Sequence, residues 1–76
     1  MLNLLRLRQK KHMTQVALHI VTGIDQSLLS KYERGERLPS VSDLTILADF
    51  FHTSLVYLMD RTDQAVPYPP VKKAKK

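Results

Sequence analysis

The run Met13–Gly35, MTQVALHIVTGIDQSLLSKYERG, decides the fold. It divides at Gly23 into two short amphipathic segments. The spacing predicts a helix from Thr14 to about Val21, with Ala17, Leu18 and Val21 on its buried face, and a second from about Gln26 to Arg34. Asp25 precedes the second helix as a good N-cap, Leu29 and Tyr32 (with Leu28 beside them) form its apolar stripe, and Gln26, Ser27, Lys31 and Arg34 occupy its polar positions. Gly35 stands where a left-handed C-terminal residue belongs.

Working outward, Asn3 is expected to cap a helix through about Lys11, with Leu4 and Leu7 one turn apart and Arg6, Lys10 and Lys11 on the wet side. Basic residues in its last turn suit the helix dipole. The linker Gly35-Glu36-Arg37-Leu38-Pro39 is short, and Pro39 prevents a helix from running back through it. Ser40 with Asp43 resembles a capping box, and Leu44, Leu47, Ala48 and Phe51 fall at i, i+3, i+4 and i+7 of a fourth helix. A fifth helix, capped by Ser54, is expected to bury Leu55, Leu58 and Met59.

The expected architecture is therefore all-α, with five helices over residues 1–61 and a tail over 62–76. Three prolines between Pro67 and Pro70, followed by four lysines from Lys72 onward, predict an extended, disordered basic tail. The net charge of +5 is uneven: residues 62–76 carry +3 and residues 1–61 carry +2. A polyanionic partner fits this balance, though bulk charge alone does not select one.

At 76 residues the chain can form one small core, since a domain of this size buries only about 60% of its unfolded surface. It contains no cysteine, so no disulfide or thiolate metal site is available. No apolar run approaches the roughly 20 residues of a membrane span, and charge interrupts the N-terminus too early for a signal peptide. A cytoplasmic location is the expectation. His12, His19 and His52 lack metal-ligand spacing, and Ser27, Ser30 and His19 have no orienting acid, so neither a metal, a cofactor nor an enzymatic activity is expected.

Taken in order, Leu7-Arg8, Thr14-Gln15, Gly23-Ile24, Ser30–Gly35 (SKYERG), Pro39-Ser40, Leu47-Ala48 and Ser54-Leu55-x-x-Leu58 resemble the phage-repressor-type helix-turn-helix family. These are the lambda-repressor-like, Cro and Xre regulators. The resemblance covers residues 4–59 and implies a five-helix DNA-binding fold whose third helix enters the major groove of double-stranded DNA.

By this resemblance, Gln15, next to Thr14 at the start of the second helix, matches a glutamine that binds a backbone phosphate and braces the first base-reading side chain. Here that side chain is Gln26. Glutamine can pair bidentately with adenine, and the first turn of a recognition helix is the part that reaches base edges. Ser27 and Leu28 follow, with Leu28 expected against a thymine methyl. Lys31, Arg34 and Arg37 match positions that hold phosphates, and Arg8 and Glu33 match a partly buried ion pair between the first and third helices.

The chain departs from the family pattern at three places. His12 stands where helix one usually ends in glycine, a substitution histidine tolerates because it is enriched at positive φ. His19 and Thr22 replace an alanine and a leucine in helix two, and Val56 replaces an acidic residue in helix five. Val56 and Tyr57, with Phe50 or Phe51, either complete the core or form a dimer patch. A homodimer has a separate motivation, because specific sites of this class pair two half-sites about 34 Å apart. The resulting expectation is a repressor that occupies a pseudopalindromic operator. The rival is a protein-interaction module, antitoxin-like or antagonist, that binds a second protein, with the tail as one route to that partner.

Overall fold

The computed structural model describes residues 1–65, and within them the chain forms five helices and no strand. These are α1 (Leu2–Lys10), α2 (Gln15–Thr22), α3 (Gln26–Arg34), α4 (Val41–Phe51) and α5 (Leu55–Leu58). The lysines and prolines of the tail from Val66 onward lie outside the described residues.

Local chemistry sets the boundaries. The side chains of Thr14, Asp25, Ser40 and Ser54 each accept a backbone N–H from the first turn that follows, satisfying donors that a helix start leaves unpaired. At the other ends of α2 and α3, Gly23 (φ 77°) and Gly35 (φ 75°) take the left-handed conformation that closes a helix at least cost. Histidine does the same work twice, at His12 after α1 (φ 56°) and His52 after α4 (φ 54°).

Asn3 does not cap α1. It lies buried inside the helix, and Met1, in the cap position, supplies no side-chain acceptor. The acceptor comes from beyond α5: Asp60 Oδ2 accepts the Leu2 N–H and Oδ1 the Asn3 N–H, both at 2.8 Å. A carboxylate with two acceptor oxygens suits two adjacent donors at the positive end of a helix better than one amide oxygen would. The Asn3 amide instead donates to the Tyr57 carbonyl at 2.8 Å, tying α1 to α5. Asp60→Ala is expected to lower folding stability by about 1–2 kcal/mol, read as a reduced urea midpoint with an unchanged slope.

The core gathers Leu4 of α1, Leu18 of α2, Leu29 and Tyr32 of α3, four residues of α4, and Leu58 of α5. Leu44, Leu47, Ala48 and Phe51 are all buried, as their helical stripe predicts. Ile24, in the turn after α2, is also buried, at 4% exposure. Its position explains why Val21 is not: the expected third apolar contact of α2 is 55% exposed, because the chain turns inward after Gly23 and seats Ile24 on the core. In α5 only Leu58 is buried, while Leu55 and, just past the helix, Met59 stay about 40% exposed. A helix of one turn can aim one residue inward.

The expected capping box at α4 is half formed. Ser40 Oγ accepts the Asp43 N–H at 3.0 Å, but the Asp43 carboxylate turns to α3 and accepts the Tyr32 hydroxyl at 2.6 Å. Burial, followed by this hydrogen bond and the Asp43 charge, pushes the Tyr32 phenol up from 10.0 to about 12. A pKa raised by folding favours the protonated form, so the contribution of Tyr32 is complete below about pH 10 and is lost as pH rises through about 12. Denaturant unfolding across that window should show the loss in the wild type, and Tyr32→Phe should remove this pH-dependent step.

Candidate nucleic-acid interface

The α2–turn–α3 unit carries exposed polar residues at the start of each helix. Thr14 caps α2, and α3 starts across the Gly23–Asp25 turn with Gln26 and Ser27 exposed in its first turn. Among the described residues Gln26 makes no side-chain hydrogen bond, so its amide oxygen and both amide protons are available. The Ser27 hydroxyl donates to Asp25, which leaves its oxygen as an acceptor. That bond is also the main reason the Asp25 carboxyl is held below the ordinary range.

Leu28 is placed differently from the other first-turn residues. It is half-buried and packs against the core, so much of the surface expected to meet a thymine methyl is already covered.

A connected polar network ties α1, α2 and α3 together. Arg8 of α1 grips Glu33 of α3 with both arms of its guanidinium, Nε to Oε2 at 2.6 Å and Nη2 to Oε1 at 3.0 Å. Its remaining Nη1 donates to the Met13 carbonyl at 2.8 Å, in the α1–α2 connection. The two side chains are 14% and 5% exposed, and the hydrogen bond to Glu33 is the largest cause of the raised Arg8 pKa. Gln15 completes the network: its amide donates to Glu33 Oε1 at 3.0 Å. The resemblance put Gln15 against Gln26; in the structure its amide donor is held by Glu33 instead. The amide oxygen is not used in that bond.

Lys31, Arg34 and Arg37 are exposed. Arg34 is partly neutralised by Glu36 at 2.6 Å, and it also donates to Ser30. Both partners of the Arg34–Glu36 pair are more than half exposed, a setting in which ion pairs add little to stability. Lys31 and Arg37 form no ion pair among the described residues. Val56 is 51% exposed and Tyr57 half-buried, both on the short α5. No three His, Cys, Asp or Glu side chains cluster closely enough to hold a metal ion among the described residues.

Residues 4–58 match the helix-turn-helix family model, from within α1 to the end of α5. The chain belongs to the Cro- and Xre-like helix-turn-helix family. This helix-turn-helix protein is also 40% identical over 62 residues to the uncharacterized HTH-type transcriptional regulator y4dJ of Sinorhizobium fredii, a match covering 82% of this chain and 80% of that protein. No solved structure matches it significantly. Among the described residues, no helix is long and apolar enough to cross a membrane.

Two participants escaped the sequence. Ile24 gave no periodic signal because it sits in a turn, outside either helical stripe. Glu33 as the holder of Gln15 was hidden because the contact spans 18 positions and two helices.

Proposed function

We propose that this chain is a sequence-specific DNA-binding regulator of transcription. The observation that supports this best is the exposed first turn of α3, with an unengaged Gln26, together with an α2 whose first residue, Gln15, is anchored to α3 and α1 through Glu33 and Arg8. In this reading α3 lies in the major groove, Gln26 reads adenine N6 and N7, and Ser27 offers its oxygen to a donor on the neighbouring base.

The N-terminus of α2 then faces the sugar-phosphate backbone. Its unpaired N–H groups and positive dipole end favour a phosphate, and Thr14 and Gln15 stand at that end. Lys31, Arg34 and Arg37 flank the groove and hold further phosphates, positioning the helix without reading sequence. Two copies joined through the exposed α5 surface around Val56 and Tyr57 place two such helices on successive turns of a pseudopalindrome. Occupancy of that site, excluding polymerase, makes the protein a repressor acting in the cytoplasm.

The decisive experiment selects duplexes from a random-sequence pool with the full chain and compares the best one with a scrambled duplex at two salt concentrations. A preference of at least about 10³ for the selected duplex is expected, with a two-fold symmetric consensus. Equal affinity for both duplexes points instead to a helix-turn-helix scaffold that binds a second protein.

A further inference from the structure

The two residues of α2 that depart from the family pattern meet at a single place. His19 Nδ1 lies 2.7 Å from the Ile24 carbonyl oxygen, and Thr22 Oγ1 accepts the Ile24 N–H at 3.2 Å while donating to the Leu18 carbonyl at 2.7 Å. Both backbone groups of Ile24 are thus held by side chains from the helix that precedes the turn. The Ile24 side chain is buried in the core as well, so this residue is fixed on three sides. It is followed immediately by Asp25, the N-cap of α3, and then by Gln26.

We propose that His19 and Thr22 are positioning residues that set how α3 presents Gln26. Gly23, at φ 77° with nothing within 4 Å of where a Cβ would stand, makes the turn possible but does not hold it. Holding it falls to the two side chains. A carbonyl oxygen only accepts, so the His19 ring must carry its proton on Nδ1, both when neutral and when charged. The clamp therefore persists on protonation of the ring. Thr22 uses its hydroxyl in both directions, as an acceptor for the turn and a donor to its own helix, which fixes its rotamer. A few degrees of rotation at Ile24 moves the Gln26 amide off the base edge, because a bidentate pair demands both position and plane.

The inference rests on the DNA-reading role of Gln26, and the test has one arm that needs DNA and one that does not. In the DNA arm, Thr22→Val and His19→Gln are compared with wild type on the duplex selected by the wild-type protein and on its scrambled counterpart. Thr22→Val, which removes the hydroxyl without changing volume, should lower the ratio of selected to scrambled affinity about tenfold with scrambled binding unchanged. Thr22→Ser, which keeps the hydroxyl, should restore the ratio. His19→Gln keeps an N–H donor and should lose less than His19→Ala. Loss of affinity on both duplexes equally, or an undiminished ratio in both Thr22→Val and His19→Ala, overturns the proposal.

In the DNA-free arm, long-range nitrogen–proton spectra of the wild type at pH 8 should show His19 as the Nδ1–H tautomer. Thr22→Val should accelerate amide exchange at Ile24 more than at Leu29. An Nε2–H tautomer, or exchange at Ile24 that Thr22→Val leaves unchanged, removes the clamp itself. If the clamp is confirmed in this arm while the wild type shows no preference between duplexes, the DNA-reading function fails, and the positioning role fails with it.

Discussion

Glu33→Ala is expected to lower folding stability by about 3–5 kcal/mol, the largest loss of any single substitution in the polar network. The reason is what it leaves behind. Arg8 is only 14% exposed and spends two of its donors on Glu33, so truncating the acid strands a desolvated guanidinium that cannot shed its charge. Against a total stability of roughly 5–15 kcal/mol for a domain of this kind, that is a large share. Circular dichroism in urea is the appropriate measurement, since the chain has no tryptophan. A loss below about 1 kcal/mol would place the pair with exposed ion pairs.

The same pair separates stability from positioning. Replacing both partners, Arg8→Met with Glu33→Leu, should recover much of the stability, because well-packed apolar residues often match or exceed a buried ion pair. It cannot recover the anchor for Gln15, whose amide donates to Glu33 at 3.0 Å. The double variant is therefore expected to fold well and still bind DNA more weakly than wild type. Recovery of both properties would make the network purely structural.

Most of the fold is written in local patterns. The α4 stripe is visible because Leu44, Leu47, Ala48 and Phe51 all point the same way within an eleven-residue helix, and the caps at Asp25, Ser40 and Ser54 are short-range chemistry between residues two or three apart. Where the expectation failed, the deciding contact was distant. Asn3 looks like a cap because its type suits one, but Asp60, 57 positions away, supplies the carboxylate and leaves Asn3 to bond α5. Val21 follows the helical period, yet Ile24 takes the core position that Val21 would have filled. At the candidate interface, the family resemblance pointed to Gln15 and the polar helix positions to Gln26 and Lys31, whereas the Gln15–Glu33 bond and the half-burial of Leu28 depend on how α1, α2 and α3 pack.

Gln26→Ala is expected to weaken binding to the selected duplex by about 1–3 kcal/mol, the worth of one bidentate base pairing, while leaving scrambled DNA nearly unaffected. The structure supports an effect confined to recognition. Gln26 is exposed and makes no side-chain hydrogen bond among the described residues, so its removal takes no contact from the fold, and the α3 cap at Asp25 uses the Ser27 N–H rather than the glutamine. Urea unfolding of the variant should accordingly match wild type. Lys31→Ala supplies the contrast. Its ammonium is exposed and free of ion pairs among the described residues, so losing it should weaken both duplexes alike and reduce the salt slope by about one phosphate contact. In a duplicate set at two salt concentrations, Gln26→Ala then changes the ratio between duplexes at constant slope, and Lys31→Ala changes the slope at constant ratio. Equal losses on both duplexes for Gln26→Ala would assign it to the phosphate-holding group and leave base reading to Ser27, whose oxygen is the other exposed polar acceptor in the first turn of α3.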